Sequence, residues 1–232
     1  METKANPIPI VIDTVIDVVC PWCFIGKRTL DRAVTAFTAD LSDHYRVYVR
    51  YHPFQLSPDT PEEGVGRDAY YEKKFGNSPQ FQETRKYLVE RGKSLDIHFD
   101  YDRDSLIANT LDAHRLIYWA QSAGPGTQAK IADYLMQAYF EDCKFLGDKS
   151  LLLEIAGKAD MDQGLVSDLL SSDRDKQAIR QKVADAYNMG ITGVPFFILN
   201  GKVVLRGAVD EAEIITGLES LLPVDPASGD IH

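Results

Sequence analysis

The sequence predicts an α/β protein in which a strand–helix–strand unit and a strand–hairpin–helix unit are separated by a long all-helical stretch. Three observations carry this. The β-branched run Val15-Ile16-Asp17-Val18-Val19 feeds directly into Cys20-Pro21-Trp22-Cys23, after which Leu30, Ala33, Val34 and Phe37 recur at helical spacing. From Pro61 to about Tyr187, helical periodicity replaces strand alternation. Gly193-Val194-Pro195 then opens an apolar run closed by Asn200-Gly201, the strongest short signal for a β-hairpin.

Taken in order, Met1 to Pro9 reads as a short tail and Ile10 to Val19 as a buried strand. The helix from Pro21 to about Ala39 is followed by Asp40-Leu41-Ser42-Asp43 and a second strand, Tyr45 to Tyr51, with a crossover long enough for parallel pairing. His52 to Pro58 is a proline-punctuated loop. The middle block offers helices at Arg67–Phe75, Pro79–Gly92, Ser105–Ser122, Thr127–Phe145, Ser150–Lys158, Gln163–Ser171 and Asp173–Met189, with Ser78-Pro79 as a helix start and Gly124-Pro125-Gly126 as a break. It is too long for a loop and reads as an inserted helical domain. Lys202 to Arg206 is the returning hairpin strand, and Asp210 is placed to cap a last helix ending near Leu222, with a tail from Pro223. The division expected is 1–60 plus 190–232 for the α/β domain and 61–189 for the insert.

A chain of 232 residues with a net charge of −10 and no basic run argues against nucleic acid or an anionic membrane surface as partner. Met1 to Pro9 is polar, and Asp13 and Asp17 interrupt the apolar run that follows, so no signal peptide is read and a reducing, cytoplasmic setting is expected. There a Cys-x-x-Cys is better read as a working pair than as a staple. No second Cys-x-x-Cys or His-x3-His accompanies it, which weighs against a zinc site, and no metal is expected.

The junction has its own chemistry. A cysteine at a helix start meets backbone N–H groups without intrahelical partners and the positive end of the macrodipole, which favours thiolate. Pro21 suits the first helical position, where its missing N–H is not needed. Three residues are nearly one turn, so Cys23 lies on the same face and can close a disulfide with Cys20. The expectation is an exposed, attacking Cys20 and a shielded, resolving Cys23. Asp17 is either a proton-relaying neighbour of Cys20 or an exposed strand-end carboxylate. Cys143, between acidic residues and Lys144, reads as inert.

Cys20-Pro21-Trp22-Cys23 at the first strand-to-helix junction and Gly193-Val194-Pro195 opening the third strand, in that order, resemble the thioredoxin fold in its DsbA-like form, with an all-helical domain inserted after the second strand. Asp17 to Cys23, Pro53-Phe54-Gln55-Leu56, Asn109-Thr110 with Ala113-His114-Arg115-Leu116, and Gly193 to Phe197 make the chain similar to the FrnE-like branch. That branch is related to 2-hydroxychromene-2-carboxylate isomerases and kappa-class glutathione transferases. The resemblance implies a cis Pro195 facing the thiols, with the Val194 backbone available to an extended substrate.

Relatives that isomerise or use glutathione carry serine where this chain has Cys20, so the resemblance implies thiol–disulfide exchange, with catalytic Cys20, Cys23 and Pro195 and no required cofactor. A disulfide- or dithiol-containing protein, or a small thiol, would be the partner. The alternative is a glutathione-dependent isomerase or transferase acting on a small aromatic or polyketide-like molecule, with Trp22, Phe24, Phe54 and Phe196 lining an apolar pocket. A non-catalytic binding module is a third possibility, since fold does not fix function. Asn109 and His114 would either bind a tripeptide thiol or join the insert to the α/β core. The backbone at Gly207 and Ala208, ahead of the last helix, is a candidate anion site for glutathione.

Overall fold

The computed structural model describes residues 6–39, 41–76 and 78–223. Strand β1, Ile8–Ile16, leads through Cys20 into helix α1, Pro21–Thr38, and strand β2, Tyr45–Pro53, returns parallel to β1 with Ile8 opposite Tyr45 and Ile16 opposite Pro53. After the loop come a two-residue strand β3, Val65–Gly66, and helices α2, Arg67–Phe75, and α3, Pro79–Lys93. A second short strand, β4, Leu106–Ile107, precedes α4, Leu111–Ala120, α5, Thr127–Phe140, α6, Lys149–Lys158, α7, Gln163–Ser171, and α8, Lys176–Asn188. The hairpin β5, Phe196–Leu199, and β6, Val203–Arg206, and helix α9, Glu211–Glu219, complete the chain. The main sheet runs β2-β1-β5-β6, with β1 antiparallel to β5.

Alternation along β1 sends Ile10 and Ile12 into a core with Leu30, Ala33 and Phe37 of α1 and Ile214 and Leu218 of α9. The other core spans the inserted helices and the α/β part: Phe24 of α1 stacks on Phe140 of α5 at 6.0 Å and meets Phe99 edge-on. The hairpin turn has Asn200 and Gly201 at φ of 48° and 66°, the left-handed pair that a two-residue turn requires. The Asn200 side chain also accepts from the Val11 amide at 2.7 Å, locking the hairpin to β1.

Several expected boundaries shift. Ile8 and Pro9 belong to β1, because the Ile8 amide donates to the His44 carbonyl at 2.8 Å; the rest of the expected tails, 1–5 and 224–232, lie outside the described residues. Helix α4 starts at Leu111 rather than Ser105, since residues 106–107 pair with β3 and the Ser105 carbonyl accepts from the Arg67 amide. Helix α5 ends at Phe140, short of Phe145, and Cys143 beyond it sits at φ 56°. Helix α8 starts at Lys176 because the fully buried Arg115 takes the carbonyls of Leu169, Ser172 and Arg174. Asp210 is the N-cap of α9, but its side chain makes no cap hydrogen bond; the carboxylate pairs with Arg91 at 2.9 Å instead. Ser78 does cap α3, accepting from the Phe81 amide at 3.2 Å.

Candidate active site at the head of helix α1

Cys20 is the N-cap of α1, with extended backbone and Pro21 in the first helical position. Its amide is held by the Asp17 carbonyl at 3.1 Å, and its own carbonyl accepts from the Cys23 and Phe24 amides. The junction is therefore a tight turn that points the Cys20 side chain off the head of the helix. There the Cys20 thiol donates to the Val194 carbonyl at 3.6 Å, and the Val194–Pro195 peptide is cis. Both cysteines are free thiols. Cys23 is fully buried; that burial, and then the adjacent Cys20, push its thiol well above its ordinary value.

Cys20 is not exposed, as the sequence led one to expect, but only 4% accessible. It lies in the wall of a cavity of about 560 Å³, a size typical of small-molecule sites. Asp17, Trp22 and Val194 share this cavity with it. Much of the remaining wall comes from α2, α3 and the segment before β4: Tyr70, Tyr71, Phe75, Phe81, Arg85 and Tyr101. None of these was singled out from the sequence. The available signal was aromatic residues on two otherwise polar helices, with Phe75 half exposed. Burial raises the Tyr71 and Tyr101 hydroxyls well above their ordinary value, so both are neutral donors at neutral pH.

Asp17 is no exposed strand-end acid. It is 1% accessible, its Oδ2 accepts from the Leu56 amide at 2.8 Å, and its Oδ1 lies 3.4 Å from Nε2 of the equally buried His114. That approach is within ion-pair reach but lacks hydrogen-bond alignment, leaving both atoms without a hydrogen-bond partner. His114 also faces a smaller polar cavity of about 130 Å³ on the far side, together with His52, Gln128 and Lys182.

Other expected site residues fall elsewhere. Phe24 is in the shared core at 0% accessibility, and Phe54 packs on Tyr187 at 4.6 Å with Val15 and Ile191; neither lines the thiol cavity, because both point into hydrophobic clusters. Phe196 lies under the Arg206 guanidinium, outside the cavity as well. Asn109 clasps the loop after β2, donating to the Pro58 and Thr60 carbonyls and accepting from Gln55 at 3.0 Å, which uses up its amide. Its neighbour Thr110 does reach the thiol cavity. The proposed anion site ahead of α9 is not formed: the Gly207 amide donates to the Pro195 carbonyl at 2.8 Å and the Val209 amide to Gly207. Ala208 packs against the shared core, and Glu211 and Glu213 in the first turn of α9 repel an anion.

Among the described residues, no helix is long and apolar enough to cross a membrane, and no group of three or more His, Cys, Asp or Glu is placed to hold a metal ion.

A family model described as DSBA-like thioredoxin domain matches residues 11–218. SCO1869 of Streptomyces coelicolor, described as a probable DsbA oxidoreductase, is 25% identical; the match covers 91% of this chain and 89% of that one with a TM-score of 0.79. Two further solved structures share the fold. One is 2-hydroxychromene-2-carboxylate isomerase, 15% identical over 90% of this chain and 93% of its own, with a TM-score of 0.64. The other is the cytosolic disulfide reductase DsbM of Pseudomonas aeruginosa, solved with GSH, 16% identical over 90% and 99%, with a TM-score of 0.59. These folds are the ones expected of the FrnE-like branch. With a family match across nearly the whole chain and a thiol pair heading the first helix, the protein belongs to the DsbA-like thioredoxin domain family of thiol oxidoreductases.

Proposed function

We propose that the protein is a thiol–disulfide oxidoreductase working through Cys20 and Cys23, with Val194 and Pro195 opposite. The observation that carries this reading is the Cys20 thiol at the head of α1, 3.6 Å from the Val194 carbonyl, one turn ahead of a completely buried Cys23. Cys20 thiolate attacks a substrate disulfide and expels one substrate thiolate. Cys23 then attacks Cys20 Sγ, releasing the second thiolate and leaving Cys20–Cys23 oxidised; run backwards, the sequence oxidises a dithiol. No metal or nucleotide takes part. The partner is a protein disulfide or dithiol, or a small thiol. Glutathione is a candidate co-substrate because DsbM, which shares the fold, was solved with it. That DsbM is described as cytosolic supports a cytoplasmic setting for this chain. We place the thioredoxin-like domain at 1–60 and 190–232 and the helical insert at 61–189, the latter supplying the aromatic walls.

Mass spectrometry of the protein mixed with a disulfide substrate tests the reading. Cys23→Ser should accumulate a mixed disulfide on Cys20, and Cys20→Ser should form none. The enclosed aromatic cavity favours one second reading, a glutathione-dependent isomerase or transferase on a small aromatic molecule, which has no use for a resolving thiol. Full turnover by Cys23→Ser would decide for that reading and against the first.

A further inference from the structure

The thiol cavity carries charge of one sign where a ligand can reach it. Its charged lining residues are Asp17, Lys74 and Arg85. Asp17 is 1% accessible and its Oδ2 already accepts from the Leu56 amide, so Lys74 and Arg85 are the charges a ligand meets, in a chain whose net charge is −10.

Both cations are held against rings. Lys74 Nζ donates to the Tyr70 hydroxyl at 2.8 Å, which shares a 2.5 Å hydrogen bond with Ser57, and lies over the Tyr70 ring at 5.2 Å. Among the described residues no carboxylate is within ion-pair distance of Lys74. Arg85 lies over Tyr101 at 4.8 Å and donates to the Tyr101 carbonyl at 3.1 Å; its acidic neighbour, Asp68, is 3.8 Å off and two-thirds exposed. Cations set on apolar surface beside a partly enclosed space attract an anion more strongly than the same charges in open water. Trp22 meets Tyr87 at 5.9 Å, tying the thiol helix to α3, and Cys20 is only 4% accessible, which fits a compact ligand better than a folded protein surface.

We propose that the cavity takes a low-molecular-weight disulfide with a flat apolar body and an anionic group, its sulfur at Cys20 and its anion at Lys74 and Arg85. This rests on the thiol–disulfide reading and narrows its substrate. The reaction balances within the site. Cys20 thiolate displaces one aryl thiolate to form Cys20–S–S–aryl, and Cys23 thiolate then displaces the second. Two electrons pass from the dithiol to the aryl disulfide, and the two thiol protons are released to solvent.

The test uses the reduced full-length protein with dithiobis(nitrobenzoate), a dianionic aromatic disulfide, dipyridyl disulfide, a neutral one of similar shape, and insulin as a protein disulfide. Lys74 is exposed, so Lys74→Gln and Lys74→Glu form a charge series at a site tolerant of substitution. The ratio of the anionic to the neutral rate constant should fall about fivefold at Lys74→Gln and further at Lys74→Glu, and should fall with added salt in the wild type. A ratio indifferent to the series and to salt overturns the anion site. Insulin reduced as fast as the aryl disulfides, each rate taken relative to that of free dithiothreitol with the same disulfide, overturns the restriction to small substrates. Failure of the oxidoreductase reading itself would look different: neither aryl disulfide would react, or Cys20→Ser would react as fast as wild type.

Discussion

Helix α1 reaches the proline loop through a single residue without a side chain. A Cβ added at Gly26 would lie 2.7 Å from Pro195 Cγ and 3.2 Å from Phe197 Cζ. Pro195 cannot swing aside as a flexible chain end could, because its ring is closed on the backbone, and Phe197 is 0% accessible. Gly26→Ala therefore sets two effects against each other. Alanine in a helix interior gains about 1 kcal/mol over glycine, while overpacking a tight site costs about 1–3 kcal/mol, here toward the upper end. A net loss of about 1–2 kcal/mol is expected in urea unfolding. The strain has a direction: relief requires moving Pro195 away from α1, which carries the Val194 carbonyl away from the Cys20 thiol. The rate of Cys20 alkylation should change in the same variant. Gly217→Ala in α9 is the control, since its new Cβ meets only side-chain methyl groups, the tightest being the end of Leu199 at 3.2 Å. It should fall within about 0.5 kcal/mol of wild type or stabilise. A stabilised Gly26→Ala with unaltered Cys20 reactivity would refute the claim that close packing of α1 on Pro195 positions the thiol.

Three other outcomes are expected. Arg115→Met, which strips the Leu169, Ser172 and Arg174 carbonyls of their buried donor, should cost about 3–5 kcal/mol in denaturant unfolding. Asp13 is held below its ordinary value of 3.8: partial burial works the other way, but hydrogen bonds from Arg50 and His52 outweigh it. The stability this contributes is complete above that ordinary value and is lost as pH falls through the lowered one, so the penalty of Asp13→Asn should be full at neutral pH and vanish in acid titrations of unfolding. Burial keeps Cys23 protonated, and Asp17 is the one carboxylate lining the thiol cavity, so Asp17→Asn should lengthen the life of a Cys20 mixed disulfide at least about tenfold while sparing the first attack. Equal slowing of both steps would assign Asp17 a purely structural part.

Much of the framework was legible because its signals are local. The strand-to-helix junction at Cys20, the hairpin at Asn200-Gly201 and the cap at Ser78 each depend on residues within a few positions of one another, and each is found where the pattern puts it. Several of the departures involve partners distant in sequence. Ser105 to Thr110 has helical composition but gives up its first turns to pair with β3, and the Asp210 carboxylate makes no cap bond but pairs with Arg91, 119 residues away. The thiol pair was read from its own spacing, whereas the cavity walls could not be. Tyr70, Tyr71, Phe75 and Phe81 look like ordinary helix aromatics until α2 and α3 are set over the head of α1. Phe24 and Phe54 failed in the opposite way: beside the motif in sequence, they turn into the core as most large aromatics do.

The buried charges differ in how fully they are bonded. Arg115 is completely enclosed, yet every guanidinium nitrogen has an acceptor, and Lys27, 3% accessible, lies 2.7 Å from Asp31 and 3.1 Å from Asp133. Their positions are explained once those bonds are counted, because a buried charge with complete partners holds elements together. Asp17 and His114 are as deeply buried but face each other without a hydrogen bond, between the thiol cavity and a second, polar one. The Asp17→Asn variant decides whether this unmet contact serves the resolving step at Cys23 or only the join between insert and sheet. Burial is matched by complete bonding at Arg115, whereas Asp17, three residues before Cys20, keeps one buried oxygen unpartnered.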